Sequence, residues 1–214
     1  MNTSDKDHYK YITGYHGTTS REKVLIESKG IDVNTSSPRD DHWLGKGFYL
    51  FEFPFYAYYW AHAKAINQRK KYKDDSIKAV VYKVNVKVKT SHFMDLDDPL
   101  QIRKLSNALK DLDSNYTPND LGENPIIPEN MTTTFFYTYF KELYNIYVLT
   151  RTFQKLNPKY KKNICDRSII RNKYAKDIME LPFSEKQICI SNNSCIVSFT
   201  EENISKLIDI DLIT

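Results

Sequence analysis

Residues Ala79 to Val88 alternate along ten positions: Val80, Tyr82, Val84, Val86 and Val88 fall on one side, Val81, Lys83, Asn85 and Lys87 on the other. Successive strand side chains point to opposite faces, so this period of two predicts a strand with a polar face and an apolar face that must be covered. Partners are legible nearby. Tyr11 to Tyr15 reads as a short strand and Phe48 to Phe51 as another. Gln187 to Ser191 and Cys195 to Phe199 read as a hairpin joined by Asn192-Asn193-Ser194. Helical patterns lie between. Thr19 with Glu22 forms a capping-box pattern and Gly30 suits a helix C′ position, which frames a helix over Ser20 to Lys29. Pro54 suits the first turn of a helix on which Tyr56, Tyr59, Trp60, Ala63 and Ile66 repeat at helical spacing, as core packing. Leu96-Asp97-Asp98-Pro99 marks a turn and a helix start, residues 117–130 a Pro- and Asn-rich loop, and 131–156 and 167–180 two further helices. Strands at both ends with helices between predict an α+β chain. The expected domain is single, 1–214, with frayed residues 1–9, small antiparallel sheets flanked by helices, and a helical insertion over 100–180.

Composition narrows the class. The longest apolar run, Phe48 to Ala61, falls short of the roughly 20 residues that cross a bilayer, so no membrane partner is expected. The opening MNTSDKDHYK lacks the apolar core of a secretory leader. Three cysteines (Cys165, Cys189, Cys195) are too few and too odd for a disulfide framework, and no His lies at metal-ligand spacing from them. A cytoplasmic chain with no metal is the expectation. A net charge of +4 permits an anionic partner, while the basic runs at 69–71 and 159–162 read as solvated helix ends and loops.

Three separated features carry the chemistry. The first is Tyr15-His16-Gly17-Thr18 at the end of the first strand. The second is Gly45-Lys46-Gly47-Phe48-Tyr49-Leu50, followed by Ala57 to Ala61. The third is Glu185-Lys186-Gln187 running into Ile188-Cys189-Ile190. Gly45-Lys46-Gly47 lacks the spacing of a phosphate-binding P-loop. Each feature alone has a structural reading: a hydrogen-bonded turn His, a packed aromatic stripe, a strand entry.

In their order and spacing they resemble the poly(ADP-ribose) polymerase-like branch of the ADP-ribosyltransferases, whose signature places His, Tyr and Glu on three separate strands. The matching positions are His16-Gly17-Thr18, then Gly45-x-Gly47-Phe48-Tyr49-Leu50, then Trp60 eleven residues beyond Tyr49. Gln187 stands where the family has Glu. Bacterial single-domain relatives of toxin or phage-defence type with a His-Tyr-Gln pattern are similar too, through Ala57-x-x-Trp60-Ala61 and Gln187-Ile188-Cys189. The resemblance covers residues 11–90 and 185–199.

It implies an ADP-ribosyltransferase fold and an enzyme that takes NAD as substrate. A single ADP-ribose passes to a macromolecule, nucleic acid slightly favoured over protein, with an antitoxin protein as a conceivable partner. His16, Gly17, Thr18, Gly47, Tyr49 and Trp60 then bind the dinucleotide, the rings of Tyr49 and Trp60 flanking the pyridinium and the Gly17 backbone meeting the carboxamide. Gln187, Tyr49, His16 and Glu185 are the catalytic candidates. A neutral Gln can hydrogen-bond the ribose but cannot supply charge or take a proton. Glu185, on the same strand face if the strand already includes it, is the nearest carboxylate, and Asp166 a more distant one. Ala57 stands where the family often has Ser, and Arg39 or Arg21 are candidates for the diphosphate. Two other readings stay open: a non-catalytic module that binds NAD, ADP-ribose or a partner, and an NAD glycohydrolase. The favouring of nucleic acid rests on the basic charge and on the stripe Phe135, Phe136, Tyr137, Tyr139, Phe140, Tyr144 and Tyr147, which also reads as helix core.

Overall fold

The computed structural model describes residues 8–35, 43–105, 133–155 and 183–203. The elements run β1 (Tyr9–Thr19), α1 (Ser20–Lys29), β2 (Phe48–Phe51), α2 (Pro54–Tyr72), β3 (Ala79–Lys89), β4 (Phe93–Asp95), α3 (99–105), α4 (Thr133–Leu143), β5 (Val148–Lys155), β6 (Phe183–Ile190) and β7 (Ile196–Glu201). Among the described residues, seven strands join one sheet in the order β4-β5-β6-β2-β1-β3-β7. The class is α+β, but with one mixed sheet in place of the small antiparallel sheets expected, since β4 and β5 run parallel. Among the described residues no helix is long and apolar enough to cross a membrane.

The alternating strand behaves as its pattern requires. Val80, Tyr82, Val84, Val86 and Val88 are buried in one cluster with Phe48, Leu50, Val148, Ile188 and Ile190. The other side of the sheet carries two smaller clusters. Phe51, Ala57 and Val81 gather under α2, while Leu44, Tyr137, Phe140, Leu149 and Cys189 gather under α4.

Several boundaries differ from the sequence reading, each for a physical reason. The hairpin does not form: β7 pairs with β3, because both edges of β6 are already occupied by β2 and β5. The turn between them is held locally, Asn192 Oδ1 accepting from the Ser194 N–H at 2.9 Å. The helix read over 131–156 ends at Leu143. Asn145 takes a left-handed φ of 53°, and the β-branched and aromatic run Val148 to Phe153 continues as β5. The stretch around 100–180 is therefore not wholly helical, and the helix expected over 167–180 and the loop over 117–130 lie outside the described residues. The capping box is not made. Glu22 turns away, and its oxygens accept from Thr18 Oγ1 (2.7 Å), Lys64 Nζ (2.6 Å) and Gln68 Nε2 (3.0 Å).

The buried seam of α2 also differs. Ala57, Ala61 and Ala65 are buried, not the stripe Tyr56-Tyr59-Trp60-Ala63-Ile66. Small residues at this spacing let the helix lie almost on the backbone of β1. A Cβ at Gly17 would meet the Ala57 carbonyl oxygen at 1.9 Å. The absent side chain of Gly17 is what admits α2. Gly17→Ala should cost about 1–3 kcal/mol or more through overpacking, read as a lowered denaturant midpoint. An unchanged midpoint would show that α2 does not seat this closely.

Candidate functional site

Pairing between β1 and β2 is confined to one registered pair, Tyr15 with Phe51, although β1 continues to Thr19 and β2 begins at Phe48. Beyond that pair the two strands part. The side chain of His16 stands in the opening, its Nδ1–H donating to the Tyr49 carbonyl at 2.9 Å and its ring 4.1 Å from that of Phe48. Burial is the main reason its pKa falls to about 4, despite the opposing backbone hydrogen bond, so the ring is neutral at pH 7.

Backbone direction follows from the register. In an antiparallel strand the N–H and C=O of one residue point to the same edge, and successive residues point to opposite edges. Ser20 N–H donates to Lys78, so even-numbered residues at this end of β1 face β3. Val81, the partner of Gly17, accepts from Glu202 on its far side. The N–H and C=O of Gly17 therefore face the opening toward β2, where no registered partner meets them.

Across β2 lies β6. Gln187 pairs with Phe51 and Cys189 with Tyr49, so Tyr49, Phe51, Glu185, Gln187 and Cys189 share the face on which α2 and α4 lie. Both Glu185 and Gln187 are buried, at 0% and 4% exposure. Gln187 Nε2 donates to Glu185 Oε1 at 2.6 Å. The other end of the amide, Gln187 Oε1, is buried with no hydrogen-bond partner among the described residues. Such an acceptor is costly to leave unpaired, so a native one calls for an explanation. Lys186 points the other way, to Asp95 and Asp97, both at 3.0 Å. Burial, and then the charge of Glu185, push the Tyr56 phenol up, which puts α2 within electrostatic reach of the pair.

The aromatic residues fall in order around this pair. The Trp60 and Phe51 rings are near parallel, at 16° and 6.3 Å between centroids. Tyr49 is pinned: its hydroxyl donates to the Gly45 carbonyl (2.7 Å) and accepts from the Leu44 N–H (2.8 Å). Gly45 needs its left-handed φ of 81° to make that bend, and a Cβ at Gly47 would strike Cys189 Sγ at 2.6 Å. From the opposite side the buried Lys141 Nζ donates to the Lys46 carbonyl at 2.6 Å and to Cys189 Sγ at 3.0 Å, tying α4 to the same bend.

Of the residues singled out in the sequence, Gly17, Tyr49, Trp60, Glu185 and Gln187 border the opening or the face beside it. His16 borders it from the other face, shared with its partner Tyr82. Thr18 is buried, its hydroxyl donating to Glu22. Of the diphosphate candidates, Arg21 lies over the Tyr72 ring at 3.8 Å, and Arg39, like Asp166, lies outside the described residues. Of the stripe offered for stacking on bases, Tyr137 and Phe140 are core residues, Tyr147 is half-buried and Tyr144 is exposed, while the side chains of Phe135, Phe136 and Tyr139 lie outside what the structure describes. Sequence reasoning missed Phe51 and Tyr56. Phe51 was read only as the end of a short strand and Tyr56 only as helix packing; the register of β2 against β6 sets Phe51 beside Gln187, and the seating of α2 brings Tyr56 within reach of Glu185.

An uncharacterized protein of Methanocaldococcus jannaschii is 29% identical to this chain over 206 residues, spanning 94% of this chain and 92% of that protein. No family model and no solved structure matches the chain.

The depressed pKa of His16 fixes a pH signature. The unfolded chain binds this proton near 6.5 and the folded one only near 4, so stability falls as pH drops through that window. Chemical denaturation between pH 4 and 7 should show this slope, and His16→Gln should flatten it. An equal slope in the variant would remove His16 as its source.

Proposed function

We propose that this chain is an NAD-dependent mono-ADP-ribosyltransferase, with the donor held in the opening between β1 and β2. The observation that carries the reading is a convergence of hydrogen-bonding groups that lack a registered strand partner or a side-chain partner among the described residues. Gly17 directs a backbone N–H and C=O into the opening, and one strand beyond, the buried Gln187 Oε1 lacks a partner among the described residues. A carboxamide is the complement of the first pair, offering one acceptor and two donors. A ribose hydroxyl is the complement of the second. Nicotinamide riboside joins both in one molecule. The pinned Tyr49 ring and the Trp60 ring supply faces for the pyridinium, and Phe51 stacks behind Trp60. Neutral His16, with Nδ1–H committed to Tyr49, has Nε2 left to accept a hydrogen bond from the donor.

Glu185 answers the difficulty posed by Gln187. Two residues earlier on the same face, it supplies the carboxylate that an amide cannot, and Gln187 orients it through the 2.6 Å bond. In the proposed step the bond from ribose C1′ to the pyridinium nitrogen breaks, and its electron pair leaves with nicotinamide. An oxygen or nitrogen of the acceptor bonds to C1′ and passes its proton to Glu185. Gln187 holds the ribose, and the carboxylate stabilises the positive charge that builds on the sugar.

Nicotinamide release from NAD, followed by chromatography, tests this. Glu185→Gln keeps the size of the side chain and should slow release by about 100-fold or more, the scale of losing a positioned base. Gln187→Ala should weaken the apparent affinity for NAD as well. Wild-type protein that binds NAD without releasing nicotinamide in the presence of RNA, DNA and protein would instead favour a binding module. Release at the same rate with no acceptor present would favour a glycohydrolase.

A further inference from the structure

The face that carries Glu185 and Gln187 continues onto β5, and the residues there have no part in the donor chemistry. Arg151 is the cross-strand partner of Gln187, and Phe153 that of Glu185. Partners share a face, with Cβ atoms about 5 Å apart. Phe153 packs against Trp43 with ring centroids 4.8 Å apart and planes at 57°. The Arg151 guanidinium lies 5.5 Å from the centre of the Phe153 ring, and its Nη1 donates to the Tyr137 hydroxyl at 3.2 Å. Arg151 is exposed, Trp43 and Phe153 are half-buried, and Arg151 has no carboxylate partner among the described residues. A held guanidinium with no counter-charge among the described residues and two half-buried rings thus adjoin the pair read as reacting.

The chemistry of these three side chains selects among acceptors. An acidic peptide would use the guanidinium and leave the rings idle. An apolar peptide would cover the rings and bury an unpaired cation. A nucleobase with its adjacent phosphate uses both: the base stacks on the rings, and the planar fork of arginine matches two phosphate oxygens. A base in a duplex cannot offer its face in this way, so the strand must be single. We infer that Trp43, Phe153 and Arg151 form the acceptor subsite and that the acceptor is a single-stranded nucleic acid. This rests on reading Glu185 and Gln187 as the transfer site.

The test pairs fluorescence anisotropy of a short labelled single-stranded RNA with transfer of label from NAD, in wild type, Trp43→Ala, Arg151→Ala, Arg151→Lys and Lys29→Ala, with thermal unfolding as a check on each variant. Trp43→Ala and Arg151→Ala should each weaken RNA binding by about tenfold, the scale of a lost stacking or charged contact. Arg151→Lys should restore part of it, and Lys29→Ala, on α1, should leave it unchanged. Binding of a duplex as tight as that of the single strand, no binding by wild type, or wild-type affinity in both alanine variants would overturn the subsite. RNA binding through Trp43 and Arg151 without nicotinamide release would sink the donor reading and leave the surface standing. Nicotinamide release with label found only on protein would do the reverse.

Discussion

The interruption of pairing between β1 and β2 governs everything else in the site. One registered pair, Tyr15 with Phe51, joins the two halves of the sheet, and beyond it the strands diverge. Divergence inside a sheet is expensive, because each unmatched N–H and C=O forfeits a hydrogen bond. Two contacts hold it in place. The His16 imidazole bridges the opening to the Tyr49 carbonyl, and α2 sits directly on Gly17, where no side chain could fit. The same seating of α2 brings Trp60 over Phe51 and Tyr56 within reach of Glu185. The helix that braces the opening thus also supplies its aromatic wall.

On the far side of the opening, a second set of contacts fixes the geometry of β2 and β6. The Tyr49 hydroxyl ties down the Leu44–Gly45 bend, and Lys141 anchors the Lys46 carbonyl and Cys189 to α4. An ammonium group in so dry a position needs every donor directed at an acceptor, which makes this an expensive way to hold a loop. It holds the bend to which the Tyr49 hydroxyl is itself hydrogen-bonded. A ring fixed before a ligand arrives costs less entropy when the ligand binds.

Much of the fold was legible in the sequence where local pattern and tertiary context agree. The period of two in β3, the Pro54 start of α2 and the span of α1 all hold as read. The failures are places where long-range pairing decides. No local signal tells that both edges of β6 are taken, so the Asn192-Asn193-Ser194 turn looked like a hairpin. β5, with Val148 and Leu149 buried, lacks clean alternation and merged with the preceding helical pattern. In the candidate site, the resemblance to the ADP-ribosyltransferases, and not any single pattern, pointed to Gly17, Tyr49, Trp60, Glu185 and Gln187. Spacing alone could not show that Glu185 is buried and bonded to Gln187, or that Arg151 and Phe153 lie beside them, because both facts depend on which strands become neighbours.

The most direct test of the account is a titration of isotopically labelled protein with NAD, followed by NMR. The account predicts that the backbone amide of Gly17, the side-chain amide of Gln187 and the indole N–H of Trp60 shift together and saturate at one NAD concentration. Shifts confined to other parts of the molecule, with these three resonances unmoved, would contradict it.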